Sequence, residues 1–337
     1  LGHVKNLITG ESVARVLENA GYTIKRVNYQ GDVGMHVAKS LWGIYNSKEE
    51  FDALEGKSLK ERISYLGKVY AHGAAHFEKG EVQKAEVVSY NKKVYTKDPS
   101  IQEVYKKAID WSLSYFDELY TVFGTKFDAL YFESQMYERG VEIVQKGVEK
   151  NIFIKSDGAI IFTGSDYGLH DRVFINSEGF PTYEAKDLAL AEKHIKDFSP
   201  EKIIHIVGKE QTEYFKVVFK ALEQTLPESI GKEYHIPGGF LQLKGNKKMS
   251  SRAGSVVTGD TLVQITKEEV ENVMTDSVLK NKSAVVDAVV MAAIKYTTLK
   301  SDITKDVAFD MDDAVRTQGD SGPYLLYIGA RIASILD

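Results

Sequence analysis

Apolar positions near the start of the chain change from one period to another. Over residues 4–20 they recur every three or four residues, which predicts a helix that ends at Gly21. Residues 23–29 then alternate between apolar and polar, which predicts a short strand, and a turn follows at residues 30–34. A helix followed by a strand, with glycines at the junctions, is typical of a parallel α/β sheet.

The same patterns divide the rest of the chain. Residues 46–125 carry long, charged helical segments with few glycines, including 82–94 and 101–123, and we interpret them as a helical insertion. Alternation then resumes, with strands predicted at 129–132, 152–154, 159–162, 172–175, 202–207 and 240–243 and helices at 136–149, 183–196 and 209–224. From Thr261 to the end only helices are predicted. The predicted parts are a first half of the sheet at 1–45, the insertion at 46–125, a second half at 126–262 and a helical region at 263–337.

Composition narrows the class of protein. The net charge of −5 over 337 residues argues against a non-specific nucleic-acid binder, although it leaves room for a local basic track. The absence of cysteine excludes disulfides, thiolate metal ligands and cysteine catalysis. No apolar run approaches the roughly 20 residues that span a bilayer, and no signal peptide is visible. We expect a cytoplasmic monomer without a protein-bound metal, and a chain that is a piece of a longer protein.

A basic loop lies within residues 237–260, which read PGGFLQLKGNKKMSSRAGSVVTGD. Its ammonium groups and hydroxyls suit the oxygens of a polyphosphate, and they belong to Lys244, Lys247, Lys248, Ser250 and Ser251. Composition alone leaves a solvated basic hairpin equally open.

Two further pairs of residues stand at positions suited to binding. Gly2 and His3 precede the first predicted helix, where a phosphate would meet the positive end of the helix dipole, although a histidine there can also serve as a helix cap. Tyr183 and Asp187 are four residues apart and therefore share one face of a predicted helix. A carboxylate and an aromatic ring suit a guanidinium, while the alternative is a solvated aspartate beside a packed tyrosine, with Lys186 as a minor ion-pair rival.

The carboxyl ends of two predicted strands carry further polar groups. Gly208 ends one strand and lets a ribose or adenine approach the backbone, with Glu210 and Gln211 just beyond it. A plain strand-to-helix turn explains these residues equally well. Asn28, Gln30 and Asp32 flank the turn after the first strand, where they either face a ligand or cap the next helix.

Taken together, Gly2-His3 and the Lys248-Met249-Ser250-Ser251 loop resemble the HxGH and KMSKS signatures of class I aminoacyl-tRNA synthetases. Within that class the chain is most similar to arginyl-tRNA synthetases. The similarity covers nearly the whole length and includes VNYQGDVG at 27–34, FESQMYERG at 132–140, PTYEAKDLALA at 181–191, HIVGKEQTEYFK at 205–216 and QGDSGPYLLYIGARIASIL at 318–336.

The resemblance implies a Rossmann-like parallel sheet and a set of roles. Arginine would be held by Tyr183, Asp187 and Gln211. ATP would be bound by Gly2, His3, Gly208, Glu210, Lys248 and Met249. Catalysis would rest on His3, Lys248, Ser250 and Ser251.

The resemblance also implies substrates, namely L-arginine, tRNA(Arg) and ATP with Mg²⁺, and no tightly bound cofactor. Two positions depart from the family. Ser251 stands where the signature has lysine, so that Lys244 or Lys247 could supply the missing charge. Tyr214 stands where the family commonly has histidine, and if that histidine touches ATP, the contact is altered here.

Alternatives stay open at this point. The first histidine of HxGH and the strand before it would precede Leu1, so a non-catalytic RNA-binding paralogue or an inactive truncated fragment also fits. Another HxGH nucleotidyltransferase fits Gly2-His3 but not the pair on the 183–196 helix.

Overall fold

The computed structural model describes residues 1–244, 258–274 and 281–336. The helices of these ranges are α1 (Gly2–Asn19), α2 (Met35–Tyr45), α3 (Lys48–Asp52), α4 (Leu59–Phe77), α5 (Glu81–Tyr95), α6 (Pro99–Phe123), α7 (Glu133–Glu149), α8 (Tyr183–Phe198), α9 (Thr212–Thr225), α10 (Gly259–Val273), α11 (Lys282–Leu299), α12 (Met311–Ala314) and α13 (Gly322–Leu336). The strands are β1 (Val27–Gln30), β2 (Ala129–Phe132), β3 (Ile154–Ser156), β4 (Ala159–Phe162), β5 (Arg172–Ile175), β6 (Ile203–Gly208), β7 (Glu233–Gly238), β8 (Leu241–Leu243) and β9 (Val307–Phe309).

The fold contains two parallel strand pairs that bear on the site described below. β1 pairs with β2, with Val27 opposite Ala129, and β6 pairs with β7, with Ile203 opposite Glu233. Parallel neighbours need a long crossover, which α2–α6 supply for the first pair and α9 for the second. β3, β4 and β5 form a separate antiparallel sheet. The predicted α/β class is confirmed, although β1 begins later than the strand predicted at 23–29.

The helices between β1 and β2 have a hydrophobic core of their own, which includes Phe51 and Trp111. α2 and α4 touch backbone to backbone. A Cβ atom placed on Gly73 would lie 2.0 Å from the carbonyl oxygen of Lys39, which leaves no room for a side chain at this position. The long helices predicted at 82–94 and 101–123 are confirmed as α5 and α6.

The expectation of helices alone after Thr261 is wrong, because β9 pairs in parallel with β8. Leu241 lies opposite Val307 and Leu243 lies opposite Phe309. Val307 and Phe309 are buried, whereas the residue between them is exposed. Three residues of alternation are too few to stand out from a helical background, although the strand predicted at 240–243 is confirmed. Within the described ranges, no helix has both the length and the apolar character needed to cross a bilayer.

Candidate functional site

A deep cleft of about 2860 Å³ lies between the two parallel strand pairs. Asn28 and Tyr29 of β1 line it on one side, and Ile204 and Val207 of β6 line it on the other. Among the described strands, β1 pairs only with β2 and β6 only with β7. Each of the two strands therefore has one edge without a strand partner, and both strands lie on this cleft.

The first turn of α1 opens onto the same cleft. His3 lines it, and both Gly2 and His3 are exposed to solvent. No described side chain caps the amino end of α1, and its first turn contains no acidic residue. The free N–H groups and the positive end of the helix dipole can therefore bind an anion here.

The residues on either side of the basic loop lie near this turn. Leu243 precedes it and Thr258 follows it, and both line the cleft. A Cβ atom placed on Gly259 would lie 2.9 Å from a side-chain methyl carbon of Val4, so the chain returns from the loop against the first turn of α1. The predicted phosphate-binding residues of the loop lie outside the described residues; they are Lys247, Lys248, Met249, Ser250 and Ser251.

Lys244, the predicted substitute for the missing lysine, is described. Its ammonium group donates to a carboxylate oxygen of Asp310 at 2.9 Å, and this hydrogen bond raises the pKa of Lys244. The pair is exposed, and surface ion pairs contribute little to stability. Lys244 therefore has a carboxylate partner in this structure, and that contact would have to break for it to reach a phosphate.

The polar residues around β1 are held by tyrosines from α6. The Asn28 side-chain amide donates to the Tyr120 hydroxyl at 2.7 Å. The Asp32 carboxylate accepts from the backbone N–H of Ser134 at 2.9 Å and from the Tyr105 hydroxyl at 3.2 Å. Asp32 is buried and accepts from the first turn of α7, so it acts as a helix cap. The helix that it caps is α7 and not α2, the next helix along the chain. Asn28 lines the cleft.

Tyr183 and Asp187 lie one turn apart at the amino end of α8, as their spacing predicts. Tyr183 is 54% exposed, whereas Asp187 is partly buried. The Tyr214 hydroxyl, from α9, donates to Asp187 Oδ2 at 2.7 Å. The Lys186 ammonium lies 4.5 Å from the centroid of the Tyr183 ring.

Burial raises the pKa of Asp187 to about 6. The hydrogen bond from Tyr214 and the nearby His205 lower that pKa, while the carboxylates of Glu133 and Glu184 raise it further. Asp187 is therefore mostly ionised at neutral pH, although burial disfavours its charged form. A bound cation would stabilise that charged form.

Lys186 and Glu133 form an ion pair beneath this site. Both side chains are buried, and burial raises the pKa of Glu133 even though Lys186 opposes that shift. Lys186 is thus directed at α7, and its predicted rivalry for Asp187 does not occur. Glu133 was not predicted as a site residue, although it stands in the matched segment at 132–140, directly after a strand.

Tyr29 is a second residue that the sequence analysis missed. Its hydroxyl is buried and has no hydrogen-bond partner among the described residues. Burial raises its pKa, and the charges of Asp187 and Glu133 add to that shift. Tyr29 therefore both lines the cleft and interacts electrostatically with Asp187 and Glu133. Its position in β1 between two polar residues was the available signal.

Gly208 closes β6 opposite Gly238 of β7. A Cβ atom at Gly208 would lie 2.2 Å from the Glu210 carboxylate, so the Glu210 side chain lies directly against the backbone of Gly208 in this structure. Gln211 follows and is exposed. Of the predicted residues, the structure places His3 and Asn28 on the cleft, while Tyr183, Asp187, Gly208 and Gln211 lie outside its lining. No group of three or more histidine or acidic side chains in the described ranges is arranged to hold a metal ion.

Comparison with known proteins adds to this geometry. Residues 1–311 match the family model described as tRNA synthetases class I (R), catalytic domain. A curated arginine–tRNA ligase of Borreliella afzelii is 32% identical over 347 residues, covering 100% of this chain and 59% of that protein. One of Amoebophilus asiaticus is 30% identical over 360 residues, covering 100% of this chain and 60% of that protein. The chain thus spans about three-fifths of the length of these relatives.

Solved structures agree on the fold. The arginyl-tRNA synthetase of Thermus thermophilus superimposes with a TM-score of 0.78 at 21% identity, covering 100% of this chain and 61% of that one. That of Plasmodium falciparum superimposes with a TM-score of 0.76 at 20% identity, covering 99% of this chain and 55% of that one. At these identities the likeness establishes a shared architecture.

Proposed function

We propose, since this chain belongs to the family of class I tRNA synthetase (R) catalytic domains, that it is the catalytic part of an arginine–tRNA ligase. Its substrates are L-arginine, tRNA(Arg) and ATP, with Mg²⁺ arriving as the counter-ion of ATP. We place the enzyme in the cytoplasm as a monomer. The observation that carries the proposal is Asp187, a partly buried carboxylate beside the exposed ring of Tyr183 at the amino end of α8.

The reaction needs no protein nucleophile. A carboxylate oxygen of arginine attacks the α-phosphorus of ATP, a new P–O bond forms, and the bond to the bridging oxygen breaks as pyrophosphate leaves. The arginyl group then passes to a hydroxyl of the tRNA, and AMP leaves. Such chemistry depends on positioning and on stabilising phosphate charge.

The amino end of α1 suits the phosphates, because Gly2 and His3 present backbone N–H groups and an imidazole there. Lys248, Ser250 and Ser251 complete the phosphate-binding set in this proposal. At the side-chain end of L-arginine, Asp187 accepts hydrogen bonds from two N–H groups of the guanidinium. Gln211 binds arginine, and Gly208 with Glu210 faces the ATP ribose.

Arginine-dependent exchange of pyrophosphate into ATP tests the proposal. We expect the full-length protein to catalyse exchange with L-arginine, and only in the presence of tRNA(Arg), as the resemblance to arginyl-tRNA synthetases implies. Preference for another amino acid, or no exchange with tRNA present, would overturn it.

A second candidate is favoured by the cleft between β1 and β6. An inactive fragment or an RNA-binding paralogue fits β1 and β6, each of which has one edge without a partner among the described strands. The same assay on this 337-residue chain, and on a form extended at its amino end by the native residues, separates the possibilities. Activity in the extended form alone means that a further strand completes the site, while tRNA binding without exchange in either form identifies the paralogue.

A further inference from the structure

We propose that Tyr214 is a positioning residue for the amino-acid substrate, because its hydroxyl fixes the Asp187 carboxylate in one orientation and leaves the rest of that carboxylate to a guanidinium. The inference rests on the proposed function and deepens it. It assigns a substrate-positioning role to a residue that stands where the family that this chain resembles commonly has histidine.

The contact between Tyr214 and Asp187 joins two helices. Tyr214 stands in the first turn of α9 and donates to Asp187 Oδ2 at 2.7 Å. A carboxylate offers about four acceptor sites, so one hydrogen bond leaves Oδ1 and part of Oδ2 for the two parallel N–H groups of a guanidinium. Rotation of an aspartate carboxylate about its last torsion is otherwise broad. A donor from a different helix removes that freedom before the substrate arrives.

Tyr214 is itself held in place by its neighbours. The Arg172 guanidinium of β5 lies 5.2 Å from the centroid of the Tyr214 ring. Arg172 also donates to Glu184 Oε1 at 2.9 Å. Phe215 contacts the same ring edge-on at 5.2 Å. The series Glu184–Arg172–Tyr214–Asp187 therefore begins and ends on α8, and the phenol cannot swing away without breaking these contacts.

Several ionisable groups surround Asp187. The ionisable groups that interact with Asp187 lie on five elements, namely Tyr29 of β1, Glu133 of α7, Glu184 of α8, His205 of β6 and Tyr214 of α9. The guanidinium of Arg172, from β5, lies over the Tyr214 ring. Burial raises the pKa of Asp187, and the Tyr214 hydrogen bond is the largest of the effects that lower it. Without that hydroxyl the pKa of Asp187 rises further. A larger share of the carboxyl is then neutral at pH 7 and cannot pair with a guanidinium.

The test is the variant Tyr214→Phe in the full-length enzyme, followed by arginine-dependent exchange between pH 6 and 8.5. We expect the KM for arginine at pH 7 to rise about tenfold, the loss typical of one hydrogen bond to a charged group, with little change in the KM for ATP. The pH below which the KM for arginine climbs should move upward. An unchanged KM and pH profile would overturn the proposal.

The matched control is Tyr131→Phe. The Tyr131 hydroxyl donates to Asp197 Oδ2 at 2.8 Å, so the control removes the same kind of hydrogen bond to an aspartate at the other end of α8. We expect it to leave the KM for arginine and the pH profile unchanged. Equal effects from both variants would mean that Tyr214 acts only through the general stability of α8, and would refute a positioning role.

A direct titration separates this inference from the proposed function. Carbon-13 NMR of the Asp187 carboxyl, assigned with Asp187→Asn, measures its pKa in the wild type and in Tyr214→Phe without any substrate. We expect the pKa to be higher in the variant. Absence of arginine-dependent exchange in the wild type would sink the proposed function, whereas an unshifted carboxyl titration would sink the role of Tyr214.

Discussion

Replacing Asp187 with asparagine should stabilise the free protein while abolishing its activity. Asparagine keeps the size of the side chain and an oxygen that can accept from Tyr214, but it removes a charge that burial disfavours. The expected gain in the free energy of unfolding depends on pH. It is absent below the lower of the two pKa values of the aspartate, grows between them, and is complete above the higher one.

The pKa of an unperturbed aspartate is 3.8, and that of Asp187 in the folded protein is about 6. Because the folded-state pKa is the higher one, the stability associated with this group is fully present below about pH 3.8 and is lost as the pH rises through about 6. The gap of about 2 pH units corresponds to about 3 kcal/mol. Since Asp187 keeps some contact with solvent, we expect Asp187→Asn to gain about 1–2 kcal/mol at pH 7.5.

Urea unfolding of the wild type and Asp187→Asn at pH 7.5 and pH 5 measures this gain. It should shrink at pH 5, where the wild-type carboxyl is already largely protonated. Asp197→Asn is the control on the same helix, because hydrogen bonds from Lys193 and Tyr131 lower the pKa of Asp197 and its neutralisation should bring no gain. In the full-length enzyme, arginine-dependent exchange should fall by at least about a hundredfold in Asp187→Asn, as expected for loss of one partner of a desolvated charge pair. A variant no more stable than the wild type at pH 7.5, or equally stabilised at pH 5, would refute the reasoning.

Three further predictions concern the fold. Gly73→Ala should lower the free energy of unfolding by about 1–3 kcal/mol because its methyl group would collide with α2. Gly67→Ala on the same helix is the control, and with no atom near its Cβ position it should raise the free energy of unfolding by about 0.5–1 kcal/mol. Equal effects of the two variants in urea unfolding would contradict the close approach. Burial lowers the pKa of His194 to about 4, so this residue stabilises the fold above about pH 6.5 and that stability is lost as the pH falls towards 4. His194→Phe should flatten that part of the pH–stability curve, and a slope as steep as in the wild type would refute the assignment. Lys186→Met should cost about 3–5 kcal/mol by leaving Glu133 charged and buried, and adding Glu133→Leu should recover most of the loss; a double variant as unstable as the single one would contradict the pairing.

The long helices could be predicted because their patterns are sustained. α5 and α6 extend over 15 and 25 residues, long enough for helical spacing of apolar residues to dominate. β9 has 3 residues, and its place in the sheet depends on β8, more than sixty residues earlier in the chain. Short strands of this kind are fixed by their partners, which local spacing does not reveal.

The candidate site divides in the same way. Tyr183 and Asp187 could be paired from the sequence because four residues make one helical turn. Their partners could not, since Tyr214 reaches Asp187 from another helix and Glu133 takes Lys186 from a third. Tyr214 was noticed only as a departure from a family pattern. Its contact with Asp187 depends on how α9 packs against α8.

Lys186 and Asp187 are neighbours in sequence with opposite charges, and the fold keeps them apart. α8 buries Lys186 against Glu133 of α7 and directs Asp187 towards Tyr214 of α9. The ammonium of Lys186 is thus neutralised by another carboxylate, and within the described ranges no lysine or arginine forms an ion pair with Asp187. The raised pKa of Asp187 follows from that arrangement. A substrate guanidinium would supply the missing cation. It would stabilise the charged form of Asp187 that burial disfavours in the free protein, and this stabilisation contributes to the binding of arginine.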